Sequence, residues 1–113
     1  LIAYIDAALA FGEGSDQQAV AAWVIIGAEA VRLEDVRNLY QDVIARHSNT
    51  LVELLTQASS EVGTTLNKKK AKELATFIIA SIQGAYQIAT TAPDESKNYA
   101  ARILKEAVLN TLS

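Results

Sequence analysis

From Val36 to Val62 the apolar positions recur every third or fourth residue without a break: Val36, Tyr40, Val43, Ile44, Leu51, Leu54, Leu55, Ala58 and Val62, with His47 on the same stripe. That spacing predicts an α-helix of about 30 residues, ~45 Å long at 1.5 Å per residue, either continuous or kinked into two. Glu34 and Asp35 suit its first turn, where the helix dipole favours negative charge, and Gly63 suits its end. A stripe this long must be covered along its whole length. Only other helices do that well, so the chain is constrained to a helical bundle.

The rest of the sequence supplies those helices. A first helix is expected from Leu1 to Phe11, closed by Gly12, with Ser15 and Gln18 as a capping box for the next. The second, Asp16 to Val31, is apolar on every side from Ala19 to Ala30 except at Glu29, so it is expected to be enclosed by other helices. Thr64, Thr65 and Asn67 offer alternative caps for a fourth helix ending near Thr90. The lysines at 68, 69, 70 and 72 oppose the dipole and favour a cap at Thr64 or Thr65. This helix is apolar over two faces, one with Leu74, Phe77, Ile78, Ser81, Ala85 and Ile88, the other with Ala71, Ala75, Ile79, Ile82 and Tyr86. Pro93 breaks the pattern and Asp94-Glu95-Ser96 opens a fifth helix with the stripe Ala100, Ile103, Leu104, Ala107, Val108 and Leu112. No stretch alternates with period two for long enough to be a strand. The fold class expected is all-α, an antiparallel bundle of about five helices in one domain, 1–113.

Composition narrows what such a bundle does. With no cysteine and one histidine, thiolate metal sites, disulfides and a Cys nucleophile are excluded, and the cytoplasm is the expected compartment. A net charge of −3 argues against nucleic-acid binding by this piece; the lysine cluster has no interleaved aromatics and reads as a solvated helix face. No apolar run reaches the ~18 residues of a membrane span. There is no GxSxG turn, no Glu-x-x-His pair and no phosphate-binding glycine loop; Gly12-Glu13-Gly14 is only a connection. No enzyme, no cofactor and no metal are expected. Leu1 to Ile5 is already amphipathic with no capping residue ahead of it, so the chain reads as a piece of a longer protein.

The segment Ala21-Ala22-Trp23-Val24-Ile25-Ile26-Gly27-Ala28-Glu29-Ala30 resembles the central helix of TetR-family C-terminal domains, especially the group that includes the choline-responsive repressors. Leu39-Tyr40 and the long helix to Gly63 follow the family's order, and Phe77 to Ala85 looks like its penultimate helix. The resemblance implies a domain that encloses a small-molecule effector and forms a homodimer through its last two helices. It implies DNA binding only through an N-terminal helix-turn-helix domain not present here. Gln83 stands where the family usually carries an acid before the penultimate-helix glycine.

For the effector, the expected ligand-binding residues are Trp23, Ile26, Glu29, Tyr40, His47 and Phe77. Trp23 with Ile26 would line an apolar chamber, with Tyr40 and Phe77 from neighbouring helices. Glu29, about 600° further round the helix, would sit at its edge, paired with Arg32 or turned inward to a cation. His47 reads either as a structural histidine or as a pocket group. Six of the seven aromatics, Tyr4, Phe11, Trp23, Tyr40, Phe77 and Tyr86, fall on the helices around the expected cavity, where core and pocket read alike. For the dimer, Ala80, Gln83, Gly84, Gln87, Ile103 and Ala107 are expected at the interface, with Gly84 as a close-packing position. The effector is expected to be largely apolar or cationic. The competing expectation is a structural helical dimerisation module with a filled core and no ligand.

Overall fold

The computed structural model describes residues 1–10, 17–92 and 99–112, and five helices account for most of them. They are α1 (Ile2–Ala8), α2 (Gln17–Ala30), α3 (Glu34–Glu61), α4 (Lys68–Thr91) and α5 (Ala100–Leu112). No strand occurs among the described residues. The long periodic stripe is one continuous helix. α3 begins with Glu34 and Asp35 in its first turn and stops where Gly63 takes φ +78°, a conformation that costs glycine nothing. The expected Gly12 turn, the Ser15 cap, Phe11 and the Asp94-Glu95-Ser96 opening lie outside the described residues.

α3 packs along α4 and against α2, while α2 also leans on α4, and α5 is held by α1 and α4. The principal extents are 40 × 33 × 19 Å, so the bundle is two helix layers deep. Its core is Ile5 and Leu9 from α1 and its cap, Leu51 and Leu55 from α3, Leu74, Ala75, Ile78, Ile82 and Ala85 from α4, and Ala100, Leu104, Val108 and Leu112 from α5. Ser59 is the one buried polar side chain among the described residues. It donates to the Thr64 carbonyl at 2.9 Å, and the Thr64 hydroxyl reaches the Leu112 carbonyl at 3.2 Å, tying the α3–α4 turn to the end of α5.

Two expectations change. The cap of α4 is Asn67, whose Oδ1 accepts from the Lys70 amide at 2.8 Å; Thr64 is already committed to the turn. And α2 is not enclosed. Ala30 is its only buried residue, and Ile25 (61% exposed) and Ile26 face outward, as do Val31 (77%), Leu33 and Leu39 (70%) beyond it. In a two-layer bundle a peripheral helix has neighbours on one side only, so apolarity all round does not bring enclosure within the chain. The end of α2 is held by polar contacts: Arg37 donates from Nε to the Ala30 carbonyl (3.0 Å) and from Nη2 to the Val31 carbonyl (2.9 Å). One guanidinium thus satisfies two of the acceptors orphaned at the helix end.

Candidate functional site

Four helices converge on a cavity of about 80 Å³. α1 contributes Tyr4 and Ala8, α2 Trp23, α3 Ile44 and His47, and α4 Ile79, Ile82, Gln83 and Tyr86. Two hydrogen bonds pin its aromatic walls. The Tyr4 hydroxyl lies 2.7 Å from His47 Nδ1, with the two rings edge to face, and the Tyr86 hydroxyl donates to the Ala8 carbonyl at 2.8 Å. Both bonds end on α1. Burial pushes the Tyr86 hydroxyl above its ordinary pKa of 10, and does the same to Tyr4 with a smaller contribution from Tyr86. Tyrosine hydroxyls, one imidazole and one amide form the polar part of the lining, and among the described residues no carboxylate, lysine or arginine takes part.

Behind Trp23 stands Tyr40. Their rings stack with centroids 4.9 Å apart and planes at 26°, and burial raises the Tyr40 pKa as well. The stack closes against the backbone of α2 at Gly27, one turn beyond Trp23. Among the expected ligand-binding residues, Trp23 and His47 thus share the cavity and Tyr40 supports it from outside. Ile26 and Glu29 are on neither wall. Glu29 instead pairs with Arg32 at 2.9 Å, the i, i+3 partner expected of a carboxylate near a helix end.

Phe77 lies elsewhere. It is half exposed and borders a separate groove of about 160 Å³ between α4 and α5, with Ser81, Tyr99, Ile103 and Ala107. Ala80, Gly84, Gln87 and Ile103 are exposed on that outer side of the bundle, and Ala107 is half-buried. Gln83, by contrast, is half-buried in the wall of the Trp23 cavity. Another groove, about 250 Å³, opens between Ile2, Leu54, Val62 and Leu109.

Sequence reasoning left Tyr4 and Tyr86 off the expected site. Their signal was that each is tyrosine on a core-facing stripe, where phenylalanine would pack as well and the hydroxyl must find a partner. Among the described residues no group of three or more His, Cys, Asp or Glu is placed to hold a metal ion, and no helix is long and apolar enough to cross a membrane.

Five helices and no strand among the described residues are what the TetR resemblance implies. The family of the BetI-type transcriptional repressor C-terminal domain matches residues 1–113, the whole chain. The chain belongs to that family. It is a regulatory-domain family within the TetR group, and its all-α architecture agrees with the five helices found here. No curated protein and no solved structure shows significant similarity to the chain.

Proposed function

We propose that residues 1–113 are the effector-sensing and homodimerising domain of a TetR-type transcriptional repressor acting in the cytoplasm, with no catalytic role. Operator DNA would be bound by a helix-turn-helix domain outside this chain. The observation that carries the reading is the cavity at which Tyr4, Trp23, His47 and Tyr86 meet. Aromatic faces with a few fixed polar edges suit a small, largely apolar molecule, and the same faces attract a cation. At about 80 Å³ the cavity is smaller than the ~300–1,000 Å³ of a drug-sized pocket, so the effector must part the helices to enter. α2 is a candidate to yield, because Ala30 is its one buried residue and its outer side, with Ile25 and Ile26, is exposed. Effector binding would then shift the population toward an arrangement in which the DNA-binding heads no longer match two half-sites.

The homodimer would form through α4 and α5. Their outer face presents Phe77, Ala80, Gly84, Gln87 and Ile103, with Ala107 at the groove between them. A two-fold interface places the same patch on both copies, and a stable one needs more than about 1,000 Å² in total. The small cavity volume also supports a second reading, a structural dimerisation module that takes no ligand. Titrating benzyl alcohol and tetramethylammonium against the fluorescence of Trp23, the only tryptophan, separates the two. A saturable change abolished by Tyr86→Ala supports the effector site; a silent Trp23 with both probes supports the module. Sedimentation showing a monomer at tens of micromolar would overturn the dimer.

A further inference from the structure

Glycine inside a helix costs about 0.5–1 kcal/mol relative to alanine, so Gly27, within the last turn of α2, needs a reason. Its conformation supplies none: among the described glycines only Gly63 has positive φ. Space supplies one. A Cβ at position 27 would lie 3.3 Å from the Tyr40 hydroxyl oxygen and 3.6 Å from Cε2 and Cζ of the same ring, and all three nearest atoms are Tyr40's. The first distance is closer than most Cβ contacts tolerate; the other two are ordinary van der Waals contact. Tyr40 in turn stacks on Trp23, which forms a wall of the cavity.

We propose that Gly27 is a positioning residue: by lacking a side chain it seats Tyr40 against α2 and thereby fixes Trp23 in the cavity wall. The consequence for effector binding rests on the reading of that cavity given above; the consequence for Trp23 does not. A glycine kept only by chance would improve the helix when replaced and change nothing else. A positioning glycine improves the helix and disturbs its aromatic neighbours. Because the tight contact is with one oxygen, removing that oxygen should restore tolerance at position 27.

The test compares wild type, Gly27→Ala, Tyr40→Phe and the double variant by Trp23 emission, near-UV circular dichroism and thermal melting. Gly27→Ala is expected to shift the Trp23 signals while the melting temperature holds or rises. In the Tyr40→Phe background the same change should leave Trp23 where Tyr40→Phe alone leaves it. An unaltered Trp23 spectrum in Gly27→Ala overturns the proposal, as does an equal shift in both backgrounds. Should Gly27→Ala fail to fold, folding of the double variant supports the proposal and its failure overturns it. Benzyl alcohol and tetramethylammonium then read the cavity: affinity should fall several-fold in Gly27→Ala and recover in the double variant. If wild type binds neither probe, the effector reading fails while the Trp23 spectra still decide the role of Gly27. If wild type binds and Gly27→Ala binds equally well, the control of the cavity by Gly27 is overturned.

Discussion

The hydroxyl of Tyr86 on α4 donates to the main-chain carbonyl of Ala8, the last residue of α1, across 2.8 Å and 78 positions of sequence. Ala8 lies where helix carbonyls lose their intrahelical partners, so the tyrosine satisfies an acceptor that the short helix leaves open. Together with the bond from Tyr4 to His47, it fastens α1 to both α3 and α4 on the two sides of the cavity. Ile5, fully buried between these two attachments, supplies the apolar part of the same anchorage.

Tyr86→Phe keeps the ring and removes the hydroxyl that makes that bond. It is expected to lower stability by about 1 kcal/mol, the net worth of a typical internal hydrogen bond, measured by urea denaturation. Hydrogen exchange should quicken in α1 more than in α3. Uniform loss of protection across the chain would show that α1 is not held separately by this contact.

The tyrosines also set an alkaline limit. Folding raises the pKa of Tyr4, Tyr40 and Tyr86 above the ordinary value of 10, through burial in each case first. The folded state therefore holds these protons more tightly than the unfolded chain does. The associated stability is fully present below pH 10 and is lost as the pH climbs from there through the folded-state values. Denaturation midpoints should fall above pH 10, and Tyr86→Phe should flatten that fall. An equally steep decline in Tyr86→Phe would assign it to other groups.

The five helices were legible because period and punctuation act locally: the stripe of α3, the Gly63 stop and the apolar stripe of α5 each follow from neighbours in sequence. The site was legible only in part. Trp23 and His47 share a cavity, yet their companions Tyr4 and Tyr86 come from the first helix and the fourth, and no spacing rule joins those positions. Phe77 and Trp23 are both aromatic on wide apolar arcs; which borders a cavity and which faces outward depends on the number of neighbouring helices, a tertiary property. The exposure of α2 was illegible for the same reason, since hydrophobicity says that a face needs covering and not what covers it. Glu29 was the reverse case. Its partner Arg32 stands three residues away, and the bland local pairing is the one observed.

Arg37 carries the corner between α2 and α3 through two bonds to carbonyls at the end of α2. Arg37→Ala should cost about 1–2 kcal/mol, since a charged donor is lost while water can reach part of the vacated site. Arg37→Lys should restore less than half of this, because an ammonium cannot reproduce the two-pronged geometry. Equal stability of the lysine variant and wild type would show that charge alone holds the corner.

Leu55 and Phe77 separate the two roles that apolar residues play here. Leu55 is fully buried in the core, so Leu55→Ala should destabilise the fold by roughly 2–5 kcal/mol through lost transfer energy and the cavity left behind. Phe77 is half exposed on the outer face of α4, and Phe77→Ala should leave the melting of an isolated protomer nearly unchanged. If α4 and α5 form the homodimer, the same change should weaken association by more than about 1 kcal/mol, because buried aromatic anchors dominate interface energy. Gly84 lies on the same face, and a Cβ placed there would meet nothing within 4 Å, so the protomer has room for a side chain. Gly84→Leu should therefore keep or improve protomer stability, since leucine is the better helix former by several tenths of a kcal/mol. Between two copies the added bulk must be accommodated twice across the symmetry axis, and dimer affinity should fall. Sedimentation equilibrium of both variants reads association directly, with Leu55→Ala as the control for general destabilisation. Unchanged dimer affinity in Phe77→Ala and Gly84→Leu together would move the interface off this face of the bundle.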